Sequence, residues 1–541
     1  MTNNKPVFLA LAFLVLLSCN SKVPVILSID PKIGGTGEEI TLGGYGFGEE
    51  RGESYVTIAG TSPTNSSYHL WQDDLIKVRV PESGESGLVY VHVKGKKSNG
   101  VLFSNSAAIP RPVAGEEPGF EPKIVSVSPQ AGAPGTLITI TGSNFGHTRE
   151  NAGVFFSWDF ESSSASPFVV REREFIEVSE TELGYESWNT REIKVRLPDG
   201  AVNGNLEIRT PRGKSLPALF DVSGRPGTKS FKDKRSYTIS YSVDVRVLEA
   251  TRPNTLYLWI PRPVNSPYQR NIALISRNVD PFVENHRTLS LFKLDNLGAG
   301  TSRNINLSFN VEVYAQETGI RPLSVKQEQN PSFAVYMRSS PLIPCDDPKI
   351  KAMADTITGR ERNPYIKARL LYEWIIWEMK IVETLYPPLN SIVTAMEQKR
   401  ADSYTAALLY TAMARASGVP CIPSAGVLIN RNGQTLRHYW AEFWINDFGW
   451  IPVDPAMGAG AVPASFIVKQ DRAAYYFGNM DNMRIAFSRG ELTLSRMESR
   501  GRLVSHPQSY SLQNIWEEAA GGLESYSSLW GDITITGMYM Q

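Results

Sequence analysis

One motif that occurs twice constrains this chain more than any other feature. Ile29-Asp30-Pro31 with Gly34, Gly37, Ile40, Leu42, Gly44, Phe47 and Gly48 recurs as Val127-Ser128-Pro129 with Gly132, Gly135, Ile138, Ile140, Gly142, Phe145 and Gly146, at a constant offset (127 − 29 = 98). A pattern repeated at a fixed offset marks one structural unit used more than once. Apolar residues alternate at 40/42 and at 138/140, the period of a half-buried strand, and the glycines on either side mark turns. Each copy closes on another alternating strand, Val89-Tyr90-Val91-His92-Val93 in the first and Leu206-Glu207-Ile208-Arg209 in the second. The Pro-rich stretch Ile109–Pro122 reads as the linker between them.

This pattern resembles the IPT/TIG family of immunoglobulin-like sandwiches, over residues 24–108 and 121–224. The resemblance implies spacer or protein-binding modules. With 541 residues, the chain is too long for one core, and three to five domains are expected. A third β-rich unit, 229–340, follows: Tyr237, Ile239, Tyr241, Val243, Val245 and Val247 alternate along one strand and Leu256–Ile260 forms another. Ile305, Leu307, Phe309, Val311 and Val313 form one more, and Pro261 and Pro263 end the second, since proline cannot extend a ladder.

Helical periodicity takes over after Pro348. Ile366, Leu370, Leu371, Trp374 and Ile375 make one apolar stripe behind an Asn363-Pro364 start. A second helix is predicted from Ser403 to Ser417, stopped by Gly418 and Pro420. Strands follow at Ile422–Ile429, Leu436–Ile445 and Trp450–Val453, separated by turns at Asn430–Gly433 and Asn446–Gly449. In the tail, Tyr475–Asp481 is expected either to complete the core or to line a binding groove with exposed aromatics, and an amphipathic helix is expected around Leu512–Leu523.

Three segments carry the chemistry: Arg400-Ala401-Asp402-Ser403-Tyr404, then Arg437-His438-Tyr439-Trp440-Ala441-Glu442, then Gly449-Trp450-Ile451-Pro452-Val453-Asp454-Pro455. Their order and spacing resemble the transglutaminase-like superfamily, and the region 346–541 is identified as a member, with a papain-like α+β core. The third β unit then resembles the small β-sandwich that often precedes such a core. The resemblance implies a nucleophilic cysteine at a helix N-terminus, a histidine base and an aspartate that orients it, at Ser403, His438 and Asp454. A thiol there is held as thiolate by the helix dipole and the imidazole. Serine stands in its place, and its hydroxyl must lose its proton to histidine during attack. Ala401 also stands where the family usually has glycine. From the residues alone, Asp402 or Ser403 serves equally as the helix cap, and Asp454 before Pro455 as a turn initiator.

The N-terminus, 1–18, reads as a signal peptide: Lys5 precedes an apolar run from Val7 to Leu17, too short to span a bilayer. Leu16-Leu17-Ser18-Cys19 resembles a bacterial lipobox, which implies lipidation of Cys19 and membrane attachment through that anchor only. Cys345 and Cys421 are left, either as a disulfide or as two buried thiols. No CxxC or HExxH motif or histidine cluster occurs, so neither a metal nor another cofactor is expected. Formal net charge is +0, which gives no electrostatic case for nucleic acid. The expected molecule is a cell-envelope lipoprotein in which two Ig-like sandwiches and a third β-sandwich precede the transglutaminase-like domain. Its partner would be a protein, peptide or envelope polymer, held by a non-catalytic domain or acted on by a Ser-His-Asp acyl-transfer enzyme.

Overall fold

The structure, a computed structural model, describes residues 23–81, 86–106, 121–149, 152–161, 174–179, 183–286, 288–328, 330–386 and 391–540. The signal segment and Cys19 lie outside the described residues. Among those described, no helix is long and apolar enough to cross a membrane. The chain forms two compact units, Met1–Arg111 and Pro112–Gln541.

The first unit holds the first repeat. One sheet runs Val25–Asp30, Glu39–Tyr45, Leu75–Arg79, Tyr68–Trp71 in space, and the second repeat reproduces that order with Lys123–Ser128, Leu137–Ser143, Glu192–Arg196 and Tyr185–Trp188. Alternation does what the sequence predicts: Ile40, Leu42, Ile138 and Ile140 are fully buried. The repeated glycine near the end of each strand is explained by close approach. A Cβ at Gly44 would lie 2.1 Å from the Val25 carbonyl oxygen, and one at Gly142 would lie 1.9 Å from that of Lys123. Tyr68 and Tyr185 accept the Val56 and Val154 amides at equivalent places, so the offset has grown by the second half of the module (185 − 68 = 117). The longer second copy adds a strand, Glu174–Glu177, to its other sheet.

The second repeat is packed into the rest of its unit. Trp158, at the end of one of its strands, is fully buried beneath the Arg270 guanidinium, 4.0 Å above the ring, and against Tyr314 at 4.9 Å between centroids.

The third β unit is built on β1 (Gly227–Pro261) and β2 (Ser302–Ile320), paired antiparallel from Gly227↔Ile320 to Arg246↔Ser302. The two alternating strands read from the sequence at 237–247 and 256–260 are thus one long, bulged strand. The helical region contributes α1 (Pro364–Glu378), capped by Asn363 as predicted, and α2 (Ser403–Ala416). Beside them stands a four-stranded sheet of β3 (Cys421–Ile429), β4 (Thr435–Ile445), β5 (Gly449–Val453) and β6 (Arg484–Arg489), in the order β5-β4-β3-β6. Ala441 and Phe443 of β4 join Ala406, Leu409 and Met413 of α2 in one core.

The tail corrects one expectation and decides between the two readings of another. No helix forms at Leu512–Leu523. Residues 517–530 are β7 (Glu517–Trp530) and 534–540 are β8 (Thr534–Met540), both paired with β1. Apolar residues at 512, 516, 519 and 523 imitate a helical stripe, but Gly521 and Gly522 disfavour a helix, and the partner strand lies far upstream. Of the two readings of 475–481, the segment completes the core: Tyr476 is fully buried and Phe477 packs on Phe443 at 5.6 Å.

Candidate functional site

The sheet brings His438 and Asp454 together. Ala441 of β4 pairs with Val453 of β5, so Asp454, just beyond β5, falls across from the segment that begins with His438. His438 Nε2 lies 3.0 and 2.8 Å from the two carboxylate oxygens of Asp454, and both side chains are 1% exposed. An ionised carboxylate only accepts, so Nε2 carries the proton and Nδ1 is left with the lone pair in the neutral imidazole. Asp454 also caps the short helix α3 (Pro455–Ala459), accepting the Met457 amide at 3.0 Å. The turn-initiating role and the triad position fall on the same carboxylate.

A buried cation underlies this pair. Arg484, on β6, donates to Asp454 Oδ2 at 2.8 Å and to Asp481 Oδ2 at 2.9 Å, and is itself 1% exposed. Tyr476 donates its hydroxyl to Asp481 at 2.8 Å, and the guanidinium lies 5.1 Å from the centre of the Trp440 ring. Burial pushes the Asp454 carboxyl up, but His438 and Arg484 outweigh it and hold the group at about 2. Asp481 is likewise held below the usual carboxylate range, with Arg484 overcoming burial. Two buried carboxylates with one buried guanidinium satisfy the rule that interior charges must be paired. A second buried network continues along the same face of β4: Glu442 accepts Arg489 at 3.0 and 2.8 Å, Tyr268 at 2.8 Å and Ser424 at 3.2 Å.

Ser403 opens α2 at its first helical position. Asp402 is the cap, accepting the Thr405 amide at 2.8 Å, so Ser403 is not needed as one. The first turn of α2 packs on β4 through Tyr404 and Tyr439, ring centroids 5.0 Å apart, which brings the residue after Ser403 against the residue after His438. Among the described residues, Ser403 has no side-chain hydrogen bond, to His438 or to any other group. The structure therefore joins two of the three predicted positions directly and the third only through its neighbour.

Cys345 and Cys421 are both buried free thiols. Burial pushes the Cys421 thiol up to about 12, against the pull of Arg415, and raises Cys345 as well. Neither is held as a thiolate.

Sequence reasoning missed Arg484, Asp481 and Tyr476. The signal available was a requirement rather than a motif: an aspartate expected to be buried beside a histidine needs a further partner, and Arg484 heads the short apolar run Ile485-Ala486-Phe487, which reads as a buried strand.

Residues 351–455 match the model of the transglutaminase-like superfamily, and residues 24–107 and 122–165 match that of the IPT/TIG domain. The chain thus carries a transglutaminase-like domain behind IPT/TIG modules. An uncharacterized protein of Haemophilus influenzae is 24% identical over 299 residues, which is 47% of this chain and 79% of that protein. Among solved structures, a putative cysteine protease from Cytophaga hutchinsonii is 14% identical, covering 58% of this chain and 92% of its own, with a TM-score of 0.35. The periplasmic domain of TgpA from Pseudomonas aeruginosa is 15% identical over 40% of this chain and 87% of its own, with a TM-score of 0.25.

Proposed function

We propose that this protein is a cell-envelope lipoprotein whose transglutaminase-like domain binds or scaffolds a protein, peptide or envelope polymer without transferring an acyl group. The observation that carries this reading is Ser403, at the nucleophile position and without a hydrogen bond to His438. A thiolate can wait for its substrate, since dipole and imidazole hold it ionised. A serine hydroxyl cannot, and needs the imidazole within hydrogen-bond reach as it attacks. The buried thiols of Cys345 and Cys421 offer no substitute.

One observation favours a second reading, a Ser-His-Asp acyl-transfer enzyme, hydrolytic rather than cross-linking. The His438–Asp454 pair has the geometry of a base and its orienting carboxylate, and the carboxylate is ionised. In that reaction Ser403 Oγ would bond to the acyl carbon, its proton passing to His438 Nδ1 and then to the leaving group.

Labelling separates the two. The full chain is treated with a fluorophosphonate and with an activated ester, and the adduct is located by mass spectrometry. No adduct at Ser403 is expected, whereas Ser403→Cys gains labelling by iodoacetamide. An adduct on Ser403 that Ser403→Ala abolishes would establish the enzyme and overturn the binding reading.

The envelope address rests on Leu16–Cys19. The mature N-terminus is expected at Cys19 carrying acyl chains, at the periplasmic face of an outer membrane or at the cell surface. Mass analysis of the membrane fraction, with Cys19→Ala as the non-lipidated comparison, tests it.

A further inference from the structure

Among the described residues, no strand lies beside the outer edge of β5 at Trp450, yet the backbone there is satisfied. Asp199, from the turn Leu197-Pro198-Asp199-Gly200 of the second IPT/TIG module, accepts the Trp450 amide on Oδ2 at 3.0 Å. Lys229, the third residue of β1, donates to the Trp450 carbonyl at 2.7 Å and to Asp199 Oδ1 at 2.6 Å. The two side chains are 3% and 2% exposed. Gly449, at φ +103°, makes room for them: a Cβ there would lie 2.3 Å from Asp199 Oδ1. Further along the same edge, the Asp454 amide donates to the Tyr476 carbonyl and the Gly478 amide to that of Pro452, both at 2.9 Å.

A carboxylate and an ammonium thus take the place of a fifth strand beside β5, which ends one residue before Asp454. We infer that Asp199 and Lys229 are positioning residues. They fix Trp450, and with it the whole of β5, so that Asp454 meets His438. The second module is then a working part of the site rather than a spacer. This rests on the reading of His438 and Asp454 as the site, though not on whether Ser403 reacts. The physical reason is that an edge strand with free amide and carbonyl groups at one end frays from that end, and Asp454 lies only four residues from Trp450.

The test reads the His438 Nε2–H proton in the full chain, with ring-labelled histidine and NMR. A ring proton donated to a buried carboxylate is deshielded and slow to exchange, and loss of the signal in His438→Gln assigns it. The double variant Asp199→Leu/Lys229→Met removes both charges of the pair together and refills the volume, so that neither partner is left as an unpaired buried ion and Arg225 keeps its bond to the Ala201 carbonyl, but offers Trp450 no acceptor or donor. Exchange of the His438 proton is expected to accelerate by about tenfold. Ile140→Ala, in the core of the same module, serves as the comparison for simple destabilisation and is expected to accelerate the exchange less than the double variant, because it leaves Asp199 and Lys229 in place on Trp450. An unchanged rate in the double variant overturns the positioning role, as does equal acceleration in Ile140→Ala. Absence of any His438 ring signal in the wild type overturns the site reading instead. If the double variant does not fold, Asp199→Asn, which keeps the shape and one acceptor, is read the same way with a smaller acceleration of about threefold.

Discussion

The two copies of the repeat share a plan and have different fates. Their first sheets have the same strand order, and each holds a tryptophan that donates its indole N–H to the carbonyl of the repeated phenylalanine: Trp71 to Phe47 at 2.9 Å and Trp188 to Phe145 at 3.2 Å. The first copy closes on its own core, from Ile26 to Phe103. The second is fastened to the β unit and to the site through Trp158, Phe160 and Asp199. All three lie between the repeated positions. The motif therefore specifies the sandwich, and the residues it leaves free decide whether a copy stands as a module or becomes part of a larger body.

The sharpest way to break that contrast is Asp199→Ala. It strands Lys229 as an unpaired charge in the interior and frees the Trp450 amide, and such a loss costs about 3–5 kcal/mol. Calorimetry of the full chain should show the transition of the second unit falling and that of the first unmoved. A cost below about 1 kcal/mol, typical of an exposed ion pair, would mean that this pair is not what joins the second copy to the body.

A matched core pair sharpens the same point. Leu42→Ala and Ile140→Ala each remove a fully buried aliphatic side chain from equivalent strands, at a cost of about 2–5 kcal/mol. Leu42→Ala should lower a transition confined to the first unit. Ile140→Ala should lower the transition that also carries the helices and the His438 environment. If both variants move one common transition, the first copy is not an independent folding unit.

This contrast also shows what a sequence can and cannot display. Ile40/Leu42 and Ile138/Ile140 announce their strands because alternation is a local property. α2 and its stop at Gly418 are legible for the same reason, and His438 and Asp454 are legible because their segments keep a recognisable order. Asp199 is invisible by comparison: Leu197-Pro198-Asp199-Gly200 reads as an ordinary turn, and nothing local says that its carboxylate meets Trp450. Arg484 is hidden in the same way, since a strand residue and a buried counter-ion look alike until the partner strand is known. β7 is the clearest failure. Its pairing with β1 spans most of the second unit, while its apolar spacing suggests a helix at short range.

Acid should separate the two units as well. Asp454 is held at about 2, below its ordinary value of 3.8. A carboxyl group depressed on folding contributes stability that is complete above its unfolded value and is lost as pH falls towards its folded one. The window is therefore about pH 4 down to pH 2, and the contribution at stake is about 2 kcal/mol. Asp481 is depressed in the same direction and adds to it. The Lys77–Glu39 ion pair of the first copy joins side chains about one-third exposed, 36% and 34%, and contributes little. Unfolding followed between pH 5 and pH 2 should show the second unit failing before the first. The gap should narrow in Arg484→Met, where the two aspartates lose their shared cation and Asp454 keeps only the pull of His438 and of the Met457 amide.

The smallest effect compares the two tryptophans. Replacing either by phenylalanine keeps most of the ring and removes one donor, leaving the Phe47 or Phe145 carbonyl without its indole partner. A lost neutral hydrogen bond costs about 1 kcal/mol when the acceptor can turn to water and about 2 kcal/mol when it cannot. Trp71 is half-buried, whereas Trp188 is 2% exposed. Trp71→Phe should therefore lower the first unit by about 1 kcal/mol, and Trp188→Phe should lower the second by about 2 kcal/mol. Denaturant midpoints at unchanged slope give both numbers. Equal costs would show that the burial of the second copy ends at its interface with the β unit and does not reach the positions it shares with the first.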